Sequence, residues 1–414
     1  MRHIYTSVDI GTDSIKIVVC ELFHGKINLL ASSSSKSKGI KKGLITDVEE
    51  ASITLNNAIT EIETKLGFKI KNVITSIPSY FATFELVKGE VDILSETGEV
   101  TGDDIVRVLE SGMQSDEKDK EIVSLIPINF IVDSGEVLTD PKGVKSKKLY
   151  SRSITVKTPV KNVYSVVSLL ENNGLEVIDI SLNGIGDMYA IKNKEIEDKL
   201  GVIVNIGSET TNISLYNKGI IIKNSVIGLG GKAIDNDIAY IYKTSMVEAK
   251  KVKEKFALAH KKYASASDLY DITSADGKIS KINQFEVSDV VMARTEELLS
   301  LVKKEINDLT NKEIEYIIFT GGSSNLVHLD YLLQEVFGSI AHIARINLVG
   351  LRNNKYSSCL GNILYFLSKQ KLKGKNISMI SDDDEDDLSS VKKNLINISN
   401  ESMLGKVVDY FFGE

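Results

Sequence analysis

One hairpin is written twice in this 414-residue chain. Near the start, an apolar strand runs into Asp9-Ile10-Gly11-Thr12-Asp13-Ser14-Ile15-Lys16, continues as Ile17-Val18-Val19-Cys20, turns at His24-Gly25-Lys26 and returns as Ile27-Asn28-Leu29-Leu30. Much later, Val202-Ile203-Val204 runs into Asn205-Ile206-Gly207-Ser208-Glu209-Thr210-Thr211-Asn212, continues as Ile213-Ser214-Leu215-Tyr216, turns at Asn217-Lys218-Gly219 and returns as Ile220-Ile221-Ile222. The glycines keep step, with 196 residues from Gly11 to Gly207 and 194 from Gly25 to Gly219. Two pseudo-symmetric halves are implied, each offering a small, hydroxyl-rich tip to one ligand between them.

Successive backbone N–H groups in such a tip can point into one concavity and hold an anion. Gly11 and Gly207 permit close backbone approach, and Thr12, Ser14, Ser208, Thr210 and Thr211 add hydroxyl donors. Asp9 is placed to hold Mg2+ through water, since this ion keeps several waters and takes few carboxylates. Lys16 reaches a phosphate oxygen as a point charge. A single tip of this kind is more often just a turn. The duplication, with a third glycine pair after a strand at Gly321-Gly322, shifts the balance to nucleotide binding.

Composition excludes several classes. At 42% hydrophobic and 26% charged residues the chain reads as an ordinary soluble protein with room for two or more cores. A net charge of −7 argues against nucleic acid as the main partner, because phosphate backbones need a cationic face. Cys20 and Cys359 sit in apolar contexts without ligand spacing and read as packing thiols. His3, His24, His260, His328 and His342 show no metal-ligand spacing either. There is no signal segment and no run near the roughly 18 apolar residues of a spanning helix, so membrane contact is expected to be peripheral.

Helical spacing of Val48, Ala51, Leu55, Ala58, Ile62 and Leu66 ends at Gly67, and a strand follows over 73–77. From 83 to 158 alternating strands surround one helix capped at Thr101 and entered through Asp103 and Asp104. Helices are expected over 160–172 and through 186–191, with a strand over 177–180 between them. Residues 245–310 read as strongly helical, including 246–262 and 287–309. A strand over 316–319 leads into Gly321-Gly322, and a helix over 327–337 follows. Residues 371–401, with an acidic run over 382–387, read as a disordered spacer. Beyond it Met403, Leu404, Val407, Val408, Phe411 and Phe412 fall on one helical stripe within 402–414. At on the order of 1 to 2 kcal/mol each, the stripe offers roughly 6 to 12 kcal/mol gross on burial, a marginal, reversible lipid anchor that multiplies on a polymer. A helix docking on its own domain or on a partner is the alternative.

The two phosphate turns and the Gly-Gly turn, in this order, resemble the nucleotide site of the actin, Hsp70 and sugar-kinase superfamily. Within it, three stretches are similar to FtsA: Ile126-Pro127 through Phe130, Val132-Asp133 and Asp140-Pro141-Lys142-Gly143; Gly230-Gly231-Lys232-Ala233-Ile234-Asp235 through Ala239 with Ala249-Lys250-Lys251-Val252-Lys253; and the terminal stripe after an acidic spacer. The resemblance implies an α/β, actin-like two-lobed ATPase fold. Lobe 1 takes 1–82 and 159–198 with 355–370, an inserted α+β subdomain 83–158, and lobe 2 takes 199–354 with a helical part at about 235–310. It implies an ATP and Mg2+ site at Asp9, Gly11, Thr12, Asp13 and Lys16, at Asn205, Gly207, Ser208, Thr210 and Thr211, and at Gly230, Gly231, Lys250, Lys253, Gly321, Gly322 and Ser323, with Asp9 toward the metal.

Asn205 and Asn212 stand where relatives commonly carry Asp, and an amide cannot serve as a base at neutral pH. ATP binding is therefore favoured over hydrolysis, with a weak ATPase at most. The resemblance also makes Arg294 and Glu297 receptors for the FtsZ C-terminal tail, against the plainer reading of i, i+3 charge pairing on a solvated helix. Self-association into filaments, lipid contact through the terminal helix, no nucleic acid, and a peripheral place on the cytoplasmic side of the membrane at the division site complete the expectation. The competing readings are an MreB-like or PilM-like filament or assembly protein and, more remotely, a small-molecule kinase of the superfamily.

Overall fold

The duplicated hairpins become one side of each of two sheets with the same construction. The computed structural model describes residues 3–113, 117, 119–374 and 378–379. β1 (His3–Ile10) and β2 (Ser14–Phe23) are apolar on both faces, with Ile4, Val8, Ile15, Ile17, Val18 and Val19 inaccessible, which places them in the middle of a covered sheet. His24 and Gly25, at φ 48° and 74°, form the two-residue turn into β3 (Lys26–Lys36). A small hairpin, β4 (Ile40–Lys41) and β5 (Leu44–Ile45), turns at Lys42-Gly43. α1 (Val48–Leu66) starts where the Asp47 carboxylate accepts from the Glu50 N–H, ends at Gly67 with φ 82°, and buries Ala51, Leu55, Ala58 and Ile62 on the sheet. β6 (Asn72–Ile77) then runs parallel to β1.

The insertion follows. β7 (Thr83–Asp92), α2 (Gly102–Ser111), β8 (Lys120–Val132), β9 (Val137–Leu138) and β10 (Lys148–Pro159) build a sheet in the order β7-β10-β8-β9. Thr101 and Asp104 exchange side-chain and backbone hydrogen bonds in a capping box. Ile105 and Val108 of α2 pack on Phe130, Val132 and Leu149, giving the insertion a core of its own. The chain returns through α3 (Val160–Glu171), β11 (Glu176–Leu182) and α4 (Asn183–Ile191), completing the first sheet as β11-β6-β1-β2-β3.

The second lobe repeats this order. β12 (Leu200–Ile206), β13 (Thr211–Asn217) and β14 (Ile220–Ile227) form the second meander, whose turn uses Lys218 and Gly219 at φ 52° and 73°, the same left-handed pair as in the first. α5 (Gly231–Ile241) and α6 (Met246–Lys255) follow, then β15 (Leu269–Thr273), β16 (Ile279–Asn283) and the 26-residue α7 (Gln284–Leu309). β17 (Tyr316–Thr320), α8 (Leu329–Phe337) and β18 (Ala341–Ile343) close a sheet ordered β14-β13-β12-β17-β18. In both sheets the first strand pairs antiparallel with the second and parallel with the crossover strand. The helix expected over 246–262 stops at Lys255, and a hairpin occupies part of the region read as helical. Gly277, at φ 83°, turns that hairpin, and Ile272 and Ile282 anchor it in the core beneath α5 and α6.

The sheets meet through α4 and α9 (Ser357–Lys373). A methyl built on Gly361 would lie 1.6 Å from the Gly186 carbonyl oxygen, so the two backbones touch. α4 also faces lobe 2, where the Tyr216 hydroxyl donates to the Gly184 carbonyl at 2.5 Å. The expected spacer boundary at 371 moves outward. Helix α9 runs to Lys373, and Met379, 2% exposed, donates its N–H to the Ile4 carbonyl of β1 at 3.0 Å. The rest of that segment and the stripe Met403 to Phe412 lie outside the described residues. No described helix is long and apolar enough to cross a membrane.

Candidate functional site

The strand ends that carry the two duplicated tips open onto one cleft of about 540 Å³ between the lobes. Asp9, Gly11, Thr12, Asp13 and Lys16 line it from lobe 1. Asn205, Gly207, Ser208, Thr210, Lys250, Lys253, Gly321, Gly322 and Ser323 line it from lobe 2. Three expected residues do not. Thr211 is fully buried at the start of β13 and donates its hydroxyl to the Leu229 carbonyl at 2.8 Å, so its side chain belongs to the core and not to a phosphate. Gly230 and Gly231 sit behind the second tip, where the N–H groups of Gly231 and Lys232 donate to the carbonyls of Gly207 and Ser208 and pin it to the start of α5. Gly321 has φ 89°, and a methyl there would meet Asn205 Oδ1 at 2.3 Å, so a side chain is excluded by both torsion and space.

Charge in the cleft is paired and spans the lobes. Lys16 Nζ lies 2.6 Å from Asp9. Burial works to strip its proton, but the charge and hydrogen bond of Asp9 outweigh this and raise its pKa above that of an ordinary amine. Lys250 of α6 reaches across to Asp13 of the first tip at 2.5 Å, and Lys253 bonds Asp235 at 2.7 Å and the Gly231 carbonyl at 3.0 Å. The Lys42-Gly43 turn, not singled out from the sequence, touches both tips. Gly43 N–H donates to Thr12 Oγ1 at 2.7 Å, and Lys42 N–H donates to Glu209 at 2.8 Å. Lys42, Lys255 and Lys355 add unanticipated cations to the lining, each reached only by folding.

Behind Asn205 lies a group that sequence reasoning missed. Asp187 of α4 is inaccessible to solvent and accepts from Ser357 Oγ at 2.6 Å, Ser358 Oγ at 2.8 Å and Asn205 Nδ2 at 2.7 Å. Burial pushes its pKa up to about 6 against the pull of those donors. Asn212 also lines the cleft and accepts from Asn224 Nδ2 at 2.5 Å. Asn183, likewise on the wall, has a buried Oδ1 with no partner. Lysines from both lobes and backbone turns fit a polyanion, and the orphaned amide oxygen of Asn183 suits a donor or a cation-bound water beside it. Among the described residues no group of three or more His, Cys, Asp or Glu converges on one point.

Arg294 lies elsewhere, on α7. Its guanidinium grips Asp237 of α5 through two bonds of 2.5 and 3.0 Å and also pairs with Glu297, the i, i+3 arrangement that the plainer sequence reading gave. The pair borders a separate hollow of about 370 Å³ with Tyr240, which is 86% exposed, and Ile241. Cys20 and Cys359 are free and buried, and burial pushes both thiols up to about 12.

Comparison with known proteins agrees with this construction. Residues 202–361 match the family model described as cell division protein FtsA, and 83–156 match that of the SHS2 domain inserted in FtsA, together more than half of the chain. Cell division protein FtsA of Bacillus subtilis is 28% identical over 91% of this chain and 86% of its own, and that of Streptococcus pneumoniae 26% over 85% and 78%. Among solved structures, a chain of a PilM-PilN type IV pilus biogenesis complex superimposes with a TM-score of 0.58 at 16% identity, covering 87% of this chain and 98% of that one. MreB5 of Spiroplasma citri bound to ADP does so with 0.54 at 14% identity, covering 90% and 98%. The fold is therefore actin-like. With the FtsA model matched over the second lobe, the SHS2 model over the insertion and these relatives over most of the length, the chain belongs to the FtsA family of actin-like cell division proteins.

Proposed function

We propose that this chain binds ATP with Mg2+ in the interlobe cleft and, as a polymer, tethers the FtsZ ring to the inner face of the membrane. The observation that carries the reading is the convergence of both duplicated tips on one cleft bridged by Lys250–Asp13 and by Lys42–Glu209. The tip N–H groups and Lys16 would hold the phosphates, Asp9 a water of the metal, and Gly321, Gly322 and Ser323 the nucleoside side. The nucleotides in MreB5 of Spiroplasma citri, solved with ADP and with AMPPNP, support the same use of this fold. A bound polyanion would add contacts to both lobes at once and so favour the closed arrangement. At positions 205 and 212 the chain supplies no base. Asn205 and Asn212 are amides, and Asp9 is engaged by Lys16. Binding is thus favoured over turnover.

The hollow beside Arg294 is the proposed seat of the FtsZ C-terminal tail, with Tyr240 and Ile241 offering apolar surface and Asp237, Asp289 and Glu297 offering acceptors. The stripe Met403, Leu404, Val407, Val408, Phe411 and Phe412 is the proposed lipid contact, and the side-chain charge over 402–414, Lys406 against Asp409 and Glu414, is net negative and leaves the anchoring to apolar insertion. The test is co-pelleting of the full chain with vesicles, with and without ATP and FtsZ. Pelleting that is indifferent to all three would refute the reading.

A further inference from the structure

We propose that Asp187, one side chain behind the cleft wall, is a positioning residue that makes the amide of Asn205 serve the cleft as a fixed acceptor backed by negative charge. The inference rests on the nucleotide reading above.

Every hydrogen in the cluster has a direction. An ionised carboxylate only accepts, so the hydroxyls of Ser357 and Ser358 must both point at Asp187 Oδ1. The Ser358 hydroxyl, its hydrogen spent, is left to accept from Asn205 Nδ2 at 3.3 Å, and Asp187 Oδ2 accepts from the same nitrogen at 2.7 Å. Both amide hydrogens of Asn205 are thereby drawn inward. The terminal torsion of an asparagine otherwise has two nearly equivalent settings. Here the flipped setting would press the amide oxygen against a carboxylate oxygen at hydrogen-bond distance and leave two buried acceptors facing each other. Oδ1 is what remains to offer, and it lies beside Gly321 on the cleft wall.

The second consequence is charge. Asp187 is held by neutral donors alone, whereas the other carboxylates of the floor, Asp9, Asp13 and Asp235, each have a lysine. Its negative charge is uncompensated in a low-dielectric junction of α4, α9 and β12, where Coulomb attraction acts strongly. A cation entering the cleft near Asn205 would feel that charge through one amide. The chain thus carries on α4, behind the wall, the carboxylate that position 205 lacks.

The experiment is titration of a fluorescent ATP analogue into the full chain, with MgCl2 or with EDTA, beside thermal unfolding of each protein. The variants are Asp187→Asn, Asp187→Ser and the exchange Asp187→Ser with Asn205→Asp. Both single variants are expected to lose about tenfold of the affinity gained from Mg2+ while keeping the EDTA affinity, and the exchange is expected to recover it. Single variants that retain the full Mg2+ gain overturn the inference and leave the nucleotide reading intact. Loss without recovery in the exchange also overturns it, since a merely structural carboxylate would behave so. A wild-type chain that takes up no nucleotide removes both. Should Asp187→Ser fail to fold, Asp187→Asn and the exchange decide the matter by the same comparison.

Discussion

The cost of burying Asp187 should be readable as a pH dependence of stability. Its pKa is about 6 in the folded chain, against about 3.9 for an unfolded aspartate. Between those values the native state binds more protons than the unfolded state, so this group makes stability rise as pH falls through 6 and level off below about 4. Above pH 6 the whole penalty is present. Two pKa units correspond to on the order of 3 kcal/mol, of which roughly half is relieved by pH 5. Urea unfolding of the wild type and of Asp187→Asn at pH 7.5 and pH 5 isolates the term, because titrations shared by both proteins cancel in the difference. The stability of the wild type relative to the variant is expected to improve by about 1.4 kcal/mol on going to pH 5. A difference that does not change with pH, or that grows in the opposite sense, would refute the assignment of a strained, uncompensated carboxylate to this junction.

Other consequences are simpler to read. Gly361→Ala places a methyl 1.6 Å from the Gly186 carbonyl where α4 and α9 touch, and is expected to cost about 3 kcal/mol or more, seen as a drop in melting temperature or loss of soluble protein. Arg294→Glu sets a third carboxylate against Asp237 and Glu297 and is expected to weaken binding of an FtsZ-tail peptide at least tenfold, measured by fluorescence anisotropy, with nucleotide affinity unchanged. A chain ending at Glu401 is expected to lose vesicle pelleting while keeping ATP binding, and equal pelleting would remove the lipid contact from the stripe.

Local elements were legible because they obey local rules. α1 begins at its Asp47 cap and ends at Gly67, α2 carries its capping box at Thr101, and both hairpins turn on the glycines that kept step in the sequence. The β15–β16 hairpin was not legible. Each of its strands has five residues with a single buried isoleucine, too short and too polar to stand out within a charged, helical stretch. Thr211 was misread for a related reason. It lies among hydroxyl residues at the tip, yet strand alternation turns it inward to the Leu229 carbonyl.

By itself the sequence determined the doubling of the meander, the insertion within the first half and the glycine turns, since strand period, cap chemistry and left-handed torsions act over a few neighbouring residues. Only the tertiary structure decided which charges meet. Lys250 and Asp13 are 237 positions apart, Ser358 and Asp187 171, and nothing periodic links them. Their pairing follows from two sheets being clasped by α4 and α9, because the energy of a charge depends on what packs around it.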